Sequence, residues 1–138
     1  MKDQFVKDWM TRDPVVISSK TTLPEAYKLM KERHIRRLPV VDHDKLVGIV
    51  TLGDVREASP SDATTLSIYE LNYLLAQLTV DRIMTRNVLS VSLGTTVREA
   101  ARMMLEYKIG GLPVLENGKV VGILTESDIF RLVVQGWE

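Results

Sequence analysis

Along this chain the spacing of apolar residues switches between the two-residue period of strands and the 3.6-residue period of helices, and the whole pattern occurs twice. Phe5, Val6, Trp9 and Met10 are spaced as in a short amphipathic helix. Asp13-Pro14 ends it, because the residue before proline is pushed out of the helical region. Val15-Val16-Ile17-Ser18 is β-branched and reads as a strand. Thr22-Leu23-Pro24-Glu25 then has a helix-start signature: Thr22 caps, Glu25 returns the hydrogen bond, and an early proline is tolerated. Leu23, Ala26, Tyr27 and Met30 fall on one face, with Glu25, Lys28 and Glu32 opposite. The helix is expected to stop near Arg33 or His34. Ile35 to Val41 reads as a strand, Asp42 to Lys45 as a turn, Leu46 to Val50 as a strand, and Thr51 to about Ala58 as a second helix.

Shifting by 74 residues reproduces all of this without a gap, with 20 identities in the 48 positions that pair residues 9–56 with 83–130. Leu38-Pro39-Val40-Val41 returns as Leu112-Pro113-Val114-Leu115, and Val47-Gly48-Ile49-Val50-Thr51-Leu52-Gly53-Asp54 as Val121-Gly122-Ile123-Leu124-Thr125-Glu126-Ser127-Asp128. The chain is a tandem repeat of a β-α-β-β-α unit, of mixed α/β (α+β) class. Residues 6–58 form the first copy, 59–79 a connecting loop and helix, and 80–135 the second copy. One copy is too small to bury a sufficient core. The two are therefore expected to pack as one pseudo-twofold module.

Between the copies, Ser59-Pro60-Ser61-Asp62 closes the first, and Leu66 to Leu78 reads as a helix started by Ser67-x-x-Glu70 or the preceding threonines. Its apolar residues Leu66, Ile68, Tyr69, Leu71, Tyr73, Leu74 and Leu75 go nearly all the way round. A solvated linker would not look like that, so the helix is expected to be buried against the domain or against a second copy of the chain.

Composition narrows the function. The 138 residues are 45% hydrophobic and 26% charged with zero formal net charge, so no basic field points to nucleic acid or an anionic membrane. No apolar run approaches the roughly 20 residues that span a bilayer, and Met1 to Phe5 lacks the core of a signal peptide. A cytoplasmic protein is expected. Cysteine is absent, which removes thiolate chemistry.

Thr51-x-x-Asp54 and Thr125-x-x-Asp128 are the sharpest chemical signal. Each is a helix cap, with the hydroxyl on a backbone N–H and the carboxylate in the first turn. The functional alternative is a ligand site, where a hydroxyl meets a phosphate and a carboxylate accepts from paired ribose hydroxyls. The same side chains can serve both. Gly48 and Gly122, three residues earlier, are read as keeping the strand unobstructed. Upstream the copies differ: His34-Ile35-Arg36-Arg37 against Lys108-Ile109-Gly110-Gly111. Arginine suits bidentate phosphate contact, and paired glycines let a ligand approach the backbone. Pairing with surface acids and a relaxed turn are the structural alternatives.

His34 and His43 are the only histidines; Asp42-His43-Asp44 reads as a surface turn, and no metal site is expected. The methionines at helical spacing, Met30, Met103 and Met104, read as core. No nucleophile elbow, phosphate loop or buried carboxylate pair supports catalysis.

The doubled pattern of Met-Thr, strand, capped helix, Leu-Pro-Val and Val-Gly-Ile-x-Thr-x-x-Asp resembles a tandem pair of cystathionine β-synthase (CBS) domains, a Bateman module. The connecting helix and Ala58-Ser59-Pro60-Ser61 are also similar to the CBS part of acetoin-utilisation accessory proteins. The resemblance implies a disc-like module with two related clefts for adenosine-containing ligands: AMP, ADP, ATP, S-adenosylmethionine or NAD. By position, Asp54 and Asp128 would hold ribose hydroxyls, Thr51 and Thr125 phosphate or ribose, and Arg36 and Arg37 phosphate. Thr11, Val15, Thr85 and Leu89 match adenine-pocket positions, and Ile35, Pro39, Ile109, Gly110, Gly111 and Pro113 complete the candidate lining. Gly110-Gly111 departs from the basic residue a phosphate-rich site would have, so the two sites are expected to differ.

The implied function is a non-catalytic sensor, read out at a homodimer surface or by an effector protein. The alternative is a structural or oligomerisation module whose clefts are vestigial.

Overall fold

A computed structural model of the chain describes residues 3–59 and 67–136. They divide into two compact units: residues 1–14 with 89–138, and residues 15–88. Sequence repeat and compact unit are thus cut at different places. The chain starts in one unit, completes the other, and returns.

The unit of residues 15–88 contains α2 (Leu23–Arg33), β2 (Arg37–Asp42), β3 (Lys45–Thr51), α3 (Leu52–Ala58) and α4 (Ile68–Gln77), followed by a 3-10 turn at Val80–Arg82. Thr22 caps α2 by accepting from the Glu25 N–H at 3.3 Å. The Glu25 carboxylate does not close the box on the backbone; it takes the Thr22 hydroxyl at 2.9 Å. His34, left-handed at φ 55°, ends the helix. β2 and β3 pair antiparallel through a tight turn in which His43 and Asp44 both adopt positive φ. That turn holds the surface position expected of Asp42-His43-Asp44.

Two further lines of backbone flank this hairpin as single bridges, Ile17 beside Val40 and Thr85 beside Ile49. Val15 to Ser18 is therefore extended chain with one bridge rather than a full strand. Leu23, Ala26 and Met30 of α2 join Leu38, Val40, Val50 and Val55 in the core, and Val80 and Met84 enter it from the segment that precedes the second repeat.

The unit of residues 1–14 and 89–138 repeats the plan with a four-stranded sheet, in the order β1-β6-β5-β4. It has α1 (Val6–Trp9), β1 (Thr11–Arg12), β4 (Val91–Ser92), α5 (Val97–Tyr107), β5 (Gly111–Glu116), β6 (Lys119–Thr125) and α6 (Glu126–Gly136). The strand expected over Leu89 to Ser92 is limited to Val91–Ser92. Val6 and Met10, which begin the first repeat in sequence, are buried among Val91, Ala100, Met104, Leu112, Val114 and Leu124. The leading segment of each repeat thus completes the core around the sheet of the other.

Helix α4 does not take the first of its two expected placements, burial against the domain. Ser67 and Glu70 close a capping box, as the sequence requires. Yet Ile68, Tyr69, Tyr73 and Leu74 are exposed, and only Leu75 among its described apolar residues is half-buried. One stripe against α2 is all this helix covers, so it is not buried in the domain. Pro60 to Leu66 and the Leu71 side chain lie outside the described residues. No helix among the described residues is long and apolar enough to cross a membrane.

Candidate functional site

In the unit of residues 15–88, β3 runs straight into α3 at Thr51. Thr51 Oγ1 accepts from the Asp54 N–H at 3.1 Å, and Asp54 Oδ2 accepts from the Thr51 N–H at 2.9 Å. The capping reading of Thr-x-x-Asp is correct in this copy. The box engages Oδ2 of the carboxylate. Asp54 itself is half-buried.

The Arg36 carbonyl accepts from the Leu52 N–H at 2.7 Å, which ties the loop before β2 to the start of α3. Arg36 is exposed, and Arg37 is half-buried and in register with Thr51 across the hairpin. The exposed Thr85 is bonded in both directions to Ile49 on the same strand, at 2.9 and 3.0 Å. Thr51, Asp54, Arg36, Arg37 and Thr85 thus share one end of β3.

The second copy has the same frame with different chemistry. Thr125 N–H donates to Asp128 Oδ2 at 2.9 Å, and the Thr125 hydroxyl donates to that oxygen at 3.3 Å. Asp128 Oδ1 accepts from the Thr11 hydroxyl at 3.4 Å and from Arg131 Nη2 at 3.2 Å. Arg131 also donates to the Trp9 carbonyl at 2.7 Å, and its guanidinium lies 5.5 Å from the centroid of the Trp9 ring. The Asp128 side chain is 8% exposed. Gly110 gives its carbonyl to Glu126 N–H at 3.2 Å, and the buried Gly111 is in register with Thr125.

Other candidate positions are less open. Val15 and Ile35 pack half-buried against one core, Leu89 and Ile109 against the other. Pro39 and Pro113 are fully buried within their strands and offer a ligand no surface.

The two strand glycines have a different purpose from the one expected. A methyl group at Gly48 would stand 3.1 Å from the Thr85 carbonyl and collide with the Met84 thioether. At Gly122 it would stand 3.0 Å from the Thr11 carbonyl and collide with the Met10 thioether. The glycines admit the leading segments and do not clear space for a ligand. Among the described residues no cluster of His, Asp and Glu could hold a metal ion.

The Arg131–Trp9 pair was not among the candidates. Its sequence signal is a difference between copies: Glu57 and Ile83 stand where the second site has Arg131 and Trp9.

The profile of the CBS domain matches residues 6–61 and again residues 80–135, which covers both of these Thr-x-x-Asp ends. The chain belongs to the CBS domain family. A CBS domain pair solved with 5'-methylthioadenosine and S-adenosyl-L-methionine is 34% identical, with a TM-score of 0.81 over 98% of this chain and 99% of that one. A putative acetoin utilisation protein from Vibrio cholerae is 34% identical, with a TM-score of 0.78 over 94% of this chain and 90% of its own. CBSX2 in complex with AMP is 32% identical, with a TM-score of 0.79 over 98% and 99%. The chain is also 36% identical over 93% of its length to L-aspartate semialdehyde sulfurtransferase of Methanocaldococcus jannaschii, but it spans only 23% of that protein. CBS pairs thus occur both as near-complete structures of this size and as parts of larger proteins.

Proposed function

We propose that this CBS pair is a regulatory module that senses an adenosine-containing ligand (AMP, ADP, ATP, S-adenosylmethionine or a similar molecule) and performs no catalysis of its own. The observation that carries this reading is the Asp54 carboxylate, half-buried at the end of β3 with Oδ2 fixed by the Thr51 N–H. A carboxylate held in this way accepts from the two vicinal hydroxyls of a ribose. Asp54 and Asp128 are assigned the ribose, and Thr51 and Thr125 the ribose or phosphate. Arg36 and Arg37 are assigned the phosphate, since a guanidinium pairs with it through two parallel bonds. Thr11, Val15, Ile35, Thr85, Leu89, Ile109, Gly110 and Gly111 are assigned the base and its surroundings. The adenosyl group common to the molecules bound by the CBS pairs above supports this assignment.

Binding shifts an equilibrium only through unequal affinity for two states, so the signal is assigned to a change in the module or in a homodimer. An effector protein is the proposed reader, in the cytoplasm. Isothermal titration with AMP, ATP, S-adenosylmethionine and NAD tests the reading, together with Asp54→Ala and Arg36→Ala. Heat with at least one ligand is expected, reduced in Asp54→Ala by the loss of binding at that one site. Arg36→Ala is expected to weaken ATP more than adenosine. No heat with any ligand at millimolar concentration would leave an oligomerisation module as the better account.

A further inference from the structure

The two Thr-x-x-Asp ends have the same backbone frame but differ in how much of the carboxylate is already engaged. Asp128 receives four donors, the Thr125 N–H and hydroxyl, the Thr11 hydroxyl and Arg131 Nη2. A carboxylate has about four acceptor sites, so none remains for a pair of ribose hydroxyls. One of the donors belongs to the frame that repeats in both copies, the backbone N–H of the threonine. Arg131 does not: Glu57 occupies the equivalent place in the first copy.

The position of Arg131 is itself fixed. Its guanidinium donates to the Trp9 carbonyl at 2.7 Å and lies over the Trp9 ring, on the segment that also supplies Thr11. In the first copy the residue in place of Trp9 is Ile83, which offers no aromatic face. The second copy thus carries both the arginine and its platform, and the first copy carries neither.

We propose that Arg131 is a built-in occupant of the Asp128 carboxylate and sets the ligand preference of that site. This rests on the adenosyl-binding reading given above. A neutral nucleoside must displace the guanidinium before its hydroxyls reach Asp128. A ligand that carries a phosphate offers the displaced guanidinium a new partner, since the Arg131 side chain is 47% exposed and can move. The site therefore discriminates against uncharged ligands although it has the same Thr-x-x-Asp sequence as its counterpart.

The test is isothermal titration of the full chain with adenosine and with AMP, in the wild type, Arg131→Ala and Arg131→Gln, each also combined with Asp54→Ala to isolate the Asp128 site. Circular dichroism confirms that each variant is folded, and the glutamine variant keeps more of the side-chain packing. Removing one half-exposed ion pair is expected to tighten adenosine about threefold to tenfold at the Asp128 site. AMP is expected to gain less or to weaken, so the ratio of AMP to adenosine affinity falls. Unchanged or weakened adenosine binding at that site in both variants, with binding at the Asp54 site intact, overturns the role of Arg131 alone. No binding of either ligand at either site in any protein overturns the sensor reading and this proposal together.

Discussion

Met84 occupies the space that a side chain on Gly48 would fill, and Met10 does the same at Gly122. Both methionines belong to leading segments buried in the cores, so each glycine fixes how closely its segment approaches the strand. Gly48→Ala and Gly122→Ala are each expected to lower stability by about 1–3 kcal/mol, the usual effect of overpacking. The thioether end of methionine can give way, but the Thr85 and Thr11 carbonyls are held in backbone ladders. Urea unfolding of Gly48→Ala, Met84→Ala and the double variant checks this. The double variant is expected to lose less than the sum of the two, because removing the thioether relieves the collision.

The two aspartates are expected to differ in stability as well. Asp54→Ala removes one backbone partner and costs about 1 kcal/mol, a capping-sized loss. Asp128→Ala orphans four donors, one of them a guanidinium, in a buried place. Its expected loss is about 2–3 kcal/mol, the range for hydrogen bonds to a charged group. Equal losses in chemical denaturation would show that the Arg131 contact contributes nothing to folding.

The repeat, the strand hairpins and the Thr51 and Ser67 capping boxes were legible in the sequence, because each depends on residues close together in the chain. Thr51 to Asp54 spans one helical turn, and the tight turn at His43 lies between two apolar runs. What was not legible depends on long-range placement. Nothing local in Met10 or Met84 indicates that it packs over a glycine far away in the sequence. Arg131 meets Trp9 only because the chain returns to its first unit after residue 88. For helix α4 the apolar pattern signals a covered helix without saying what covers it, and residues 15–88 cover only one stripe of it.

Acid is expected to destabilise the unit of residues 15–88 through two carboxylates outside the candidate site. Asp42 is held below the ordinary carboxylate range by hydrogen bonds from the side chain and backbone of Ser19. Asp81 is held below it by the Thr79 hydroxyl, helped by Lys20. A depressed folded-state pKa means stability that is fully present above the unfolded value near 4 and is lost as pH falls through the folded value. Melting temperature is therefore expected to be flat from about pH 7 to pH 5 as far as these groups are concerned, and to fall below about pH 4. Asp42→Asn is expected to reduce the slope of that fall. An unchanged slope would assign acid sensitivity to other groups.

The exposed face of α4 leads to a prediction about assembly. Tyr69 is 83% and Tyr73 66% exposed, and Ile68 and Leu74 lie beside them. Several large apolar side chains exposed on one short helix point to contact with another molecule. Its proposed partner is the same helix of a second chain, which would bury it without altering the fold of the first. Tyr69→Glu combined with Tyr73→Glu is expected to change unfolding free energy by no more than about 0.5 kcal/mol, as surface substitutions do. Sedimentation equilibrium is expected to show a dimer in the wild type and a monomer in the variant. Leu105, Phe130 and Val134 form a second exposed apolar group on α5 and α6, and Phe130→Glu with Val134→Glu is the matched control. A dimer that survives the α4 change and is lost in the control would place the interface on α5 and α6. A wild type that stays monomeric at high micromolar concentration would remove the dimer from the mechanism and leave the effector protein as the reader of the signal.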